Sequence, residues 1–169
     1  MKLKKDFSTH TPVLIDVLQN SSGTVIELGS GIFSTPLLHW LCFKDNRKVI
    51  TYENDVEYYD FSIQFKSDNH EVVFVDSWSS IIFDDFYGVA FIDHDPTNRR
   101  ITDMLLLMDK TDFIVLHDSE RSKFQEILSC FKYRYDFTLC SPNTSIVSEF
   151  KDYAKIINTN TGKKRNVSC

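Results

Sequence analysis

The stretch Thr24-Val25-Ile26-Glu27-Leu28-Gly29-Ser30-Gly31-Ile32-Phe33-Ser34-Thr35-Pro36 constrains the fold more than any other part of the chain. A short β-branched run ends in an acid. Two glycines follow, and then a helix start. That order suits the first strand-to-helix turn of an open α/β sheet, where a nucleotide-like ligand rests against bare backbone. Glycines allow both the tight turn and the close approach. Ser34, Thr35 and Pro36 read as a helix cap followed by an N1 proline. A dinucleotide fingerprint, G-x-G-x-x-G, would need a third glycine where Ser34 stands.

Strand and helix signals alternate along the chain. The apolar spacing predicts helices over 11–18, 34–43, 55–65, 97–108 and 120–131. The first has Thr11 as its cap and Pro12 at N1. In the fourth, Ile101, Met104, Leu105 and Met108 are expected to face inward. Strands are predicted over 24–28, 48–53, 71–75, 86–92 and 113–116. Two alternating runs, 133–139 and 145–150, flank the turn Ser141-Pro142-Asn143. This order predicts an α/β fold: a doubly wound, Rossmann-like, mainly parallel sheet with a C-terminal antiparallel hairpin. A single domain over 1–157 and a flexible basic tail over 158–169 account for the 169 residues.

Composition narrows the partners. The net charge of −5 argues against a general nucleic-acid surface, so no nucleic acid is expected. The basic clusters Met1-Lys2-Leu3-Lys4-Lys5 and Gly162-Lys163-Lys164-Arg165 read as solvated termini. No apolar signal segment or membrane-length run is present, so no membrane partner is expected. Cys42, Cys130, Cys140 and Cys169 lack C-x-x-C spacing. Three of them lie in apolar segments and read as buried thiols in a reducing compartment, which places the protein in the cytoplasm.

Ligands of such a sheet bind beyond the carboxyl ends of its strands. The first strand presents Glu27, Gly29, Ser30 and Gly31 there. The second presents Glu53, whose two oxygens suit paired ribose hydroxyls or the cap of the next helix. The third presents Asp76, Ser77 and Trp78, an acid for an amine donor and an apolar wall, or a helix cap and packing. The fourth ends Asp93-His94-Asp95-Pro96, followed by Arg99 and Arg100. The fifth ends His117-Asp118-Ser119. A core would not select such residues at two adjacent strand ends.

The run Glu27-Leu28-Gly29-Ser30-Gly31 resembles motif I of the class I S-adenosylmethionine-dependent methyltransferases. The resemblance covers roughly residues 8–150. It implies S-adenosyl-L-methionine as cofactor, held by Glu27, Gly29, Ser30, Gly31, Glu53, Asp76, Ser77, Trp78 and Asp93. Ile92-Asp93-His94 and the helix from Ile101 to Leu107 resemble the catechol O-methyltransferase branch. There, residues matching Asp93 and Asp118 bind Mg²⁺ with an asparagine, and a lysine base stands where Pro96 is found. Ser119 replaces the asparagine. Mg²⁺ is therefore possible but not favoured, with Asp93 and Asp118 as its ligands if it is present. His10-Thr11-Pro12, Asp93-His94-Asp95-Pro96 with Arg100, and His117-Asp118 also resemble short methyltransferase-like proteins. The resemblance implies a methyltransferase. The lack of a basic groove or an Asn-Pro-Pro-Tyr-type base-flipping motif in the sequence favours a small-molecule or sugar-like acceptor, with a hydroxyl as the expected methyl-receiving group. His94, Asp118, His10 and Arg99 are the expected catalytic residues. A cofactor-binding module without transfer, or a nicotinamide-dependent oxidoreductase, stand as alternatives.

Overall fold

The computed structural model describes residues 5–164, with side chains placed from 7 to 159. Seven strands form one sheet: β1 (Val25–Leu28), β2 (Val49–Glu53), β3 (His70–Phe74), β4 (Tyr87–Ile92), β5 (Thr111–His117), β6 (Tyr133–Phe137) and β7 (Thr144–Ser148). Their spatial order is β3-β2-β1-β4-β5-β7-β6. The first five run parallel, while β7 pairs antiparallel with both β5 and β6. The order reverses direction between β1 and β4. Connections leave these two strands toward opposite faces, which opens a crevice at their carboxyl ends.

Period-two alternation sorts the strand residues into two cores. Ile26, Leu28, Ala90, Ile92, Ile114 and Leu116 join one cluster with Met104 and Leu107 of α4 (Arg99–Leu107) and Phe124, Ile127 and Leu128 of α5 (Ser122–Cys130). Val25, Val49, Val89, Phe91, Phe113 and Val115 join the other. That second face is covered by Val13, Leu14, Val17 and Leu18 of α1 (Thr11–Gln19), Leu38 and Cys42 of α2 (Ser34–Lys44), and Tyr153 of α6 (Tyr153–Lys164). Every residue of β4 is buried, as a strand covered on both sides requires. α3 (Val56–Ser62) follows β2 and is capped by Asp55, whose side chain accepts from the Glu57 and Tyr58 amides.

Several expectations change. His10, not Thr11, is the N-cap of α1, and Phe33 precedes α2 as its N-cap without a side-chain cap bond. Leu105 is outward and 53% exposed, because only Met104 and Leu107 of the run 104–107 face the sheet fully. Residues 153–164, part of them assigned to a flexible tail, continue as α6. Tyr153 is buried there, and Ile156 and Ile157 pack on the second core. Cys42 alone of the described cysteines is buried; Cys130 is exposed and Cys140 intermediate. Cys169, Arg165 and Met1–Lys4 lie outside the described residues. No helix among the described residues is long and apolar enough to cross a membrane.

Candidate active site

The glycine turn after β1 is braced from within the protein. Gly29 has φ +93°, and a Cβ there would stand 2.7 Å from the backbone N and Cα of His94. A Cβ on Gly31 would meet Ser34 Oγ at 2.7 Å. At Gly29 the space is taken by His94 backbone, so this glycine answers to packing, whereas at Gly31 the near atom is a single rotatable hydroxyl. Thr35 links the turn to β1: its hydroxyl accepts from the Gly31 amide at 2.9 Å and donates to Glu27 at 2.9 Å. Thr51 also donates to Glu27, at 2.7 Å, and its hydroxyl lies 2.8 Å from His70 Nε2. His70 Nδ1 is 3.2 Å from His39 Nδ1. Burial pushes the Glu27 carboxyl up to about 7, against donation from Ser34, Thr51 and Thr35. Burial lowers His70 to about 4, with His39 adding to the effect.

Glu53 closes the turn from β2. Its Oε2 accepts from the Ser30 amide at 2.7 Å and the Ser30 hydroxyl at 2.9 Å. Its Oε1 accepts from the amides of Asn54 at 2.7 Å and Asp55 at 2.9 Å. The helix-capping role weighed for this region falls to Asp55, while Glu53 ties two loops together. After β3, Ser77 caps a short 3-10 turn and Asp76 is exposed. Trp78 is buried; its Nε1 donates to the Asp95 carbonyl at 2.7 Å. An open cleft of about 660 Å³, lined by Asn54, Asp55, Asp95, Pro96, Thr97, Asn98 and Lys123, lies between the loops after β2 and β4. Its volume is in the range of small-molecule and cofactor sites.

Parity divides the residues after β4 and β5. Asp93 continues the row of Val89 and Phe91, and His94 continues that of Ala90 and Ile92. His94 therefore turns to the α4 face, stacked on Trp78 at 4.2 Å with Nε2 2.8 Å from Asp103 Oδ2. Arg99 donates to the other Asp103 oxygen from Nε at 2.9 Å and Nη2 at 2.7 Å. His94 and Arg99, expected to meet the acceptor, brace the loop against α4 instead. His94 Nδ1 is buried without a partner among the described residues.

Asp93 and His117 turn to the α1 face, where His10 meets them. His117 Nδ1 is 3.1 Å from Asp93 Oδ2, and its Nε2 is 2.8 Å from Thr9 Oγ1. Burial alone would lower His117; the hydrogen bond and charge of Asp93, with Asp118, raise it above the ordinary value. Burial alone would raise Asp93; His117 and Arg100 outweigh it and hold the carboxyl below its usual value. His10 packs on Phe91 at 4.8 Å and edge-on to His117 at 5.0 Å. Burial, helped by the charge of His117, lowers it to about 4. Arg100 is buried and donates to the carbonyls of His94, Asp93 and His117 at 2.6, 2.9 and 3.2 Å. Its Nη1 is also 3.0 Å from Asp93 Oδ1. Asp118 has a left-handed φ of 57°, tolerated by a short polar side chain, and pairs with Arg121 at 2.5 Å. The Thr9, Arg100 and His117 roles escaped the sequence reading, since each rests on contacts between distant segments.

The residues do not fit Mg²⁺, which takes oxygen ligands in near-octahedral geometry. Asp93 is held by Arg100 and His117, Asp118 by Arg121, and Ser119 is buried where an amide would be needed.

No family model matches the chain, and no curated protein matches it in sequence. Solved structures match it in shape. The N-terminal domain of human METTL16 in complex with SAH aligns with TM-score 0.65 and 14% identity, over 89% of this chain and 73% of that one. A methyltransferase from Pyrococcus furiosus gives 0.62 and 16%, over 89% and 88%. The O-methyltransferase from Bacillus cereus in complex with SAH gives 0.57 and 15%, over 87% and 83%. The METTL16 neighbours are RNA methyltransferases, which overturns the expectation that nucleic acid is excluded as a partner. A whole-chain charge sum says nothing about a local groove, so it cannot exclude such a partner. With its strand order, antiparallel last strands and glycine turn, the chain has the fold of the class I S-adenosylmethionine-dependent methyltransferases.

Proposed function

We propose that the protein is an S-adenosylmethionine-dependent methyltransferase acting on a hydroxyl, carried by a small-molecule or sugar-like acceptor. One observation carries this reading. The acid-braced glycine turn follows β1, and the His10–Asp93–His117 cluster lies at the ends of β4 and β5, so both belong to the edge of the sheet where ligands of this fold bind. The first is suited to hold a cofactor, the second to handle an acceptor.

When bound, the cofactor supplies an electrophilic methyl group for in-line displacement. The chain's task is alignment and proton handling. Glu53 is the acid for the ribose hydroxyls and would exchange its Ser30 contacts for them. Glu27, Gly29, Ser30 and Gly31 shape the turn, and Asp76, Ser77 and Trp78 form the side toward the base. Asp93 orients His117, and neutral His10 offers a lone pair to an acceptor hydroxyl. Asp118 sets the charge beside His117 at 3.9 Å. His94 and Arg99 fix the height of the loop through Asp103.

A protein that holds the cofactor without transferring a methyl is the second reading. Pro96 in place of a lysine, and a Glu53 carboxylate already filled by four protein donors, favour it.

Calorimetry with S-adenosylhomocysteine, S-adenosylmethionine and NAD is the first test. The expected result is saturable binding of the first two and none of NAD. Labelled-methyl transfer to a panel of phenols, sugars, nucleosides and RNA then separates the two readings. Folded protein that binds neither sulfur ligand overturns both.

A further inference from the structure

His10, Asp93 and His117 come from three separate elements, the N-cap of α1 and the ends of β4 and β5. One ligand atom from each lies within 4.8 Å of the others. His117 Nδ1 and Asp93 Oδ2 are 3.1 Å apart. Ligand atoms about 2.0–2.1 Å from a tetrahedral ion stand roughly 3.4 Å from one another, so this pair already has the required spacing. His10 needs to approach by up to about 1.4 Å to complete it, a rotation of one side chain.

Two independent observations point to an occupant. His10 is 2% exposed, yet both its ring nitrogens lack a partner among the described residues. Buried polar atoms are rarely left so, since each costs roughly 1–3 kcal/mol when unpaired. Second, Thr9 Oγ1 holds His117 Nε2, and Arg100 holds the Asp93 oxygen that faces away from His117. With Nε2–H donating to Thr9, the Nδ1 lone pair points at a carboxylate oxygen. A proton on Nδ1 satisfies that contact, and a metal ion can take the proton's place. Metal-bound histidines and carboxylates are oriented by outer partners of this kind.

We propose that His10, Asp93 and His117 bind a divalent transition-metal ion. Two imidazoles and one carboxylate suit Zn²⁺, Co²⁺ or Fe²⁺ and disfavour Mg²⁺. The set differs from the all-oxygen site expected from Asp93 and Asp118. It also replaces the expectation that no metal is held. Asp93 and Asp118 balance the ion's charge, with Arg100 opposing them. Asp93 is the ligand with the most exposed side chain, so the open coordination positions lie on its side. A ligand hydroxyl bound there would lose its proton more readily. That use of the ion rests on the methyltransferase reading; its binding does not.

The test is Co²⁺ titration of the full chain after dialysis against a chelator, read by visible ligand-field absorption. One equivalent is expected to bind, Zn²⁺ to displace it, and Mg²⁺ in large excess to leave it in place. His10→Phe keeps the ring on Phe91 and removes one ligand. It should weaken Co²⁺ by roughly 100-fold while the apo fold, followed by circular dichroism, is unchanged. Thr9→Val should weaken it by about 10-fold with all three ligands retained. The proposal is overturned if the folded chain binds no Co²⁺, if His10→Phe binds it as well as the parent, or if Mg²⁺ displaces it. S-adenosylhomocysteine calorimetry on the same samples reports separately on the methyltransferase reading. Metal binding without it would sink that reading alone; the reverse would sink this one alone.

Discussion

Replacing Glu53 by glutamine changes one atom and tests how the glycine turn is held. The carboxylate is 5% exposed and accepts four hydrogen bonds, two on each oxygen. A glutamine has one acceptor oxygen. It keeps either the Ser30 pair or the Asn54–Asp55 pair, and its NH₂ then faces the donors of the other. At about 1.5–3 kcal/mol for each bond to a charged group, and allowing for non-additivity, the loss should be on the order of 3 kcal/mol. Urea unfolding followed by tryptophan fluorescence, to which buried Trp78 and exposed Trp40 both contribute, measures it. Ligand linkage supplies a second readout. S-adenosylhomocysteine at 100 times its Kd should stabilise the parent by about 2.7 kcal/mol. If Glu53 also holds the ribose and Glu53→Gln weakens the ligand tenfold, the same concentration should give the variant only about 1.4 kcal/mol. A loss below about 1 kcal/mol without ligand would refute the bracing argument. Equal ligand stabilisation in both proteins would remove Glu53 from the cofactor site.

Gly29→Ala places a Cβ 2.7 Å from His94 backbone at φ +93°. It should destabilise the fold by more than the roughly 1–2 kcal/mol of left-handed strain alone, and a smaller loss in chemical denaturation would contradict the crowding. Glu27 has a folded pKa of about 7 against 4.5 unfolded, so the native state binds more protons between those values. Its contribution is present below pH 4.5 and lost as pH rises through 7. Relative to Glu27→Gln, the parent should lose about 3 kcal/mol between pH 4.5 and 8, and parallel stability–pH curves for the two proteins would refute the shift.

The strands could be read from sequence because a sheet covered on both faces leaves short apolar runs with no ambiguity of facing. α6 could not. Its polar composition reads as tail, and its place is set by docking: Tyr153 enters the second core, and its hydroxyl hydrogen-bonds Asp16 across the sequence. Leu105 shows the same limit, since a run of apolar residues does not say which of them meets the sheet. At the site, residue types were legible and partnerships were not. Asp93-His94 and His117-Asp118 looked like one cluster of four. Alternation splits it, sending His94 to Trp78 and Asp103 and leaving Asp93 with His117. His10 belonged to that pair, but only the packing of α1 on Phe91 brings it there. Whole-chain charge cannot exclude a partner for a similar reason: it carries no position.

Arg100 sets the spacing between the ends of β4 and β5. One planar guanidinium spans the carbonyls of Asp93 and His94 on one strand end and His117 on the next. The gap between these ends is therefore gauged by the fixed angles of a single resonance-stabilised group, not by how well neighbouring loops happen to pack. Such a ruler lets the flanking loops lengthen, shorten or change sequence while the reacting groups keep their separation. Lysine has the charge but not the fork, so it could carry the ionic attraction and still lose the measure.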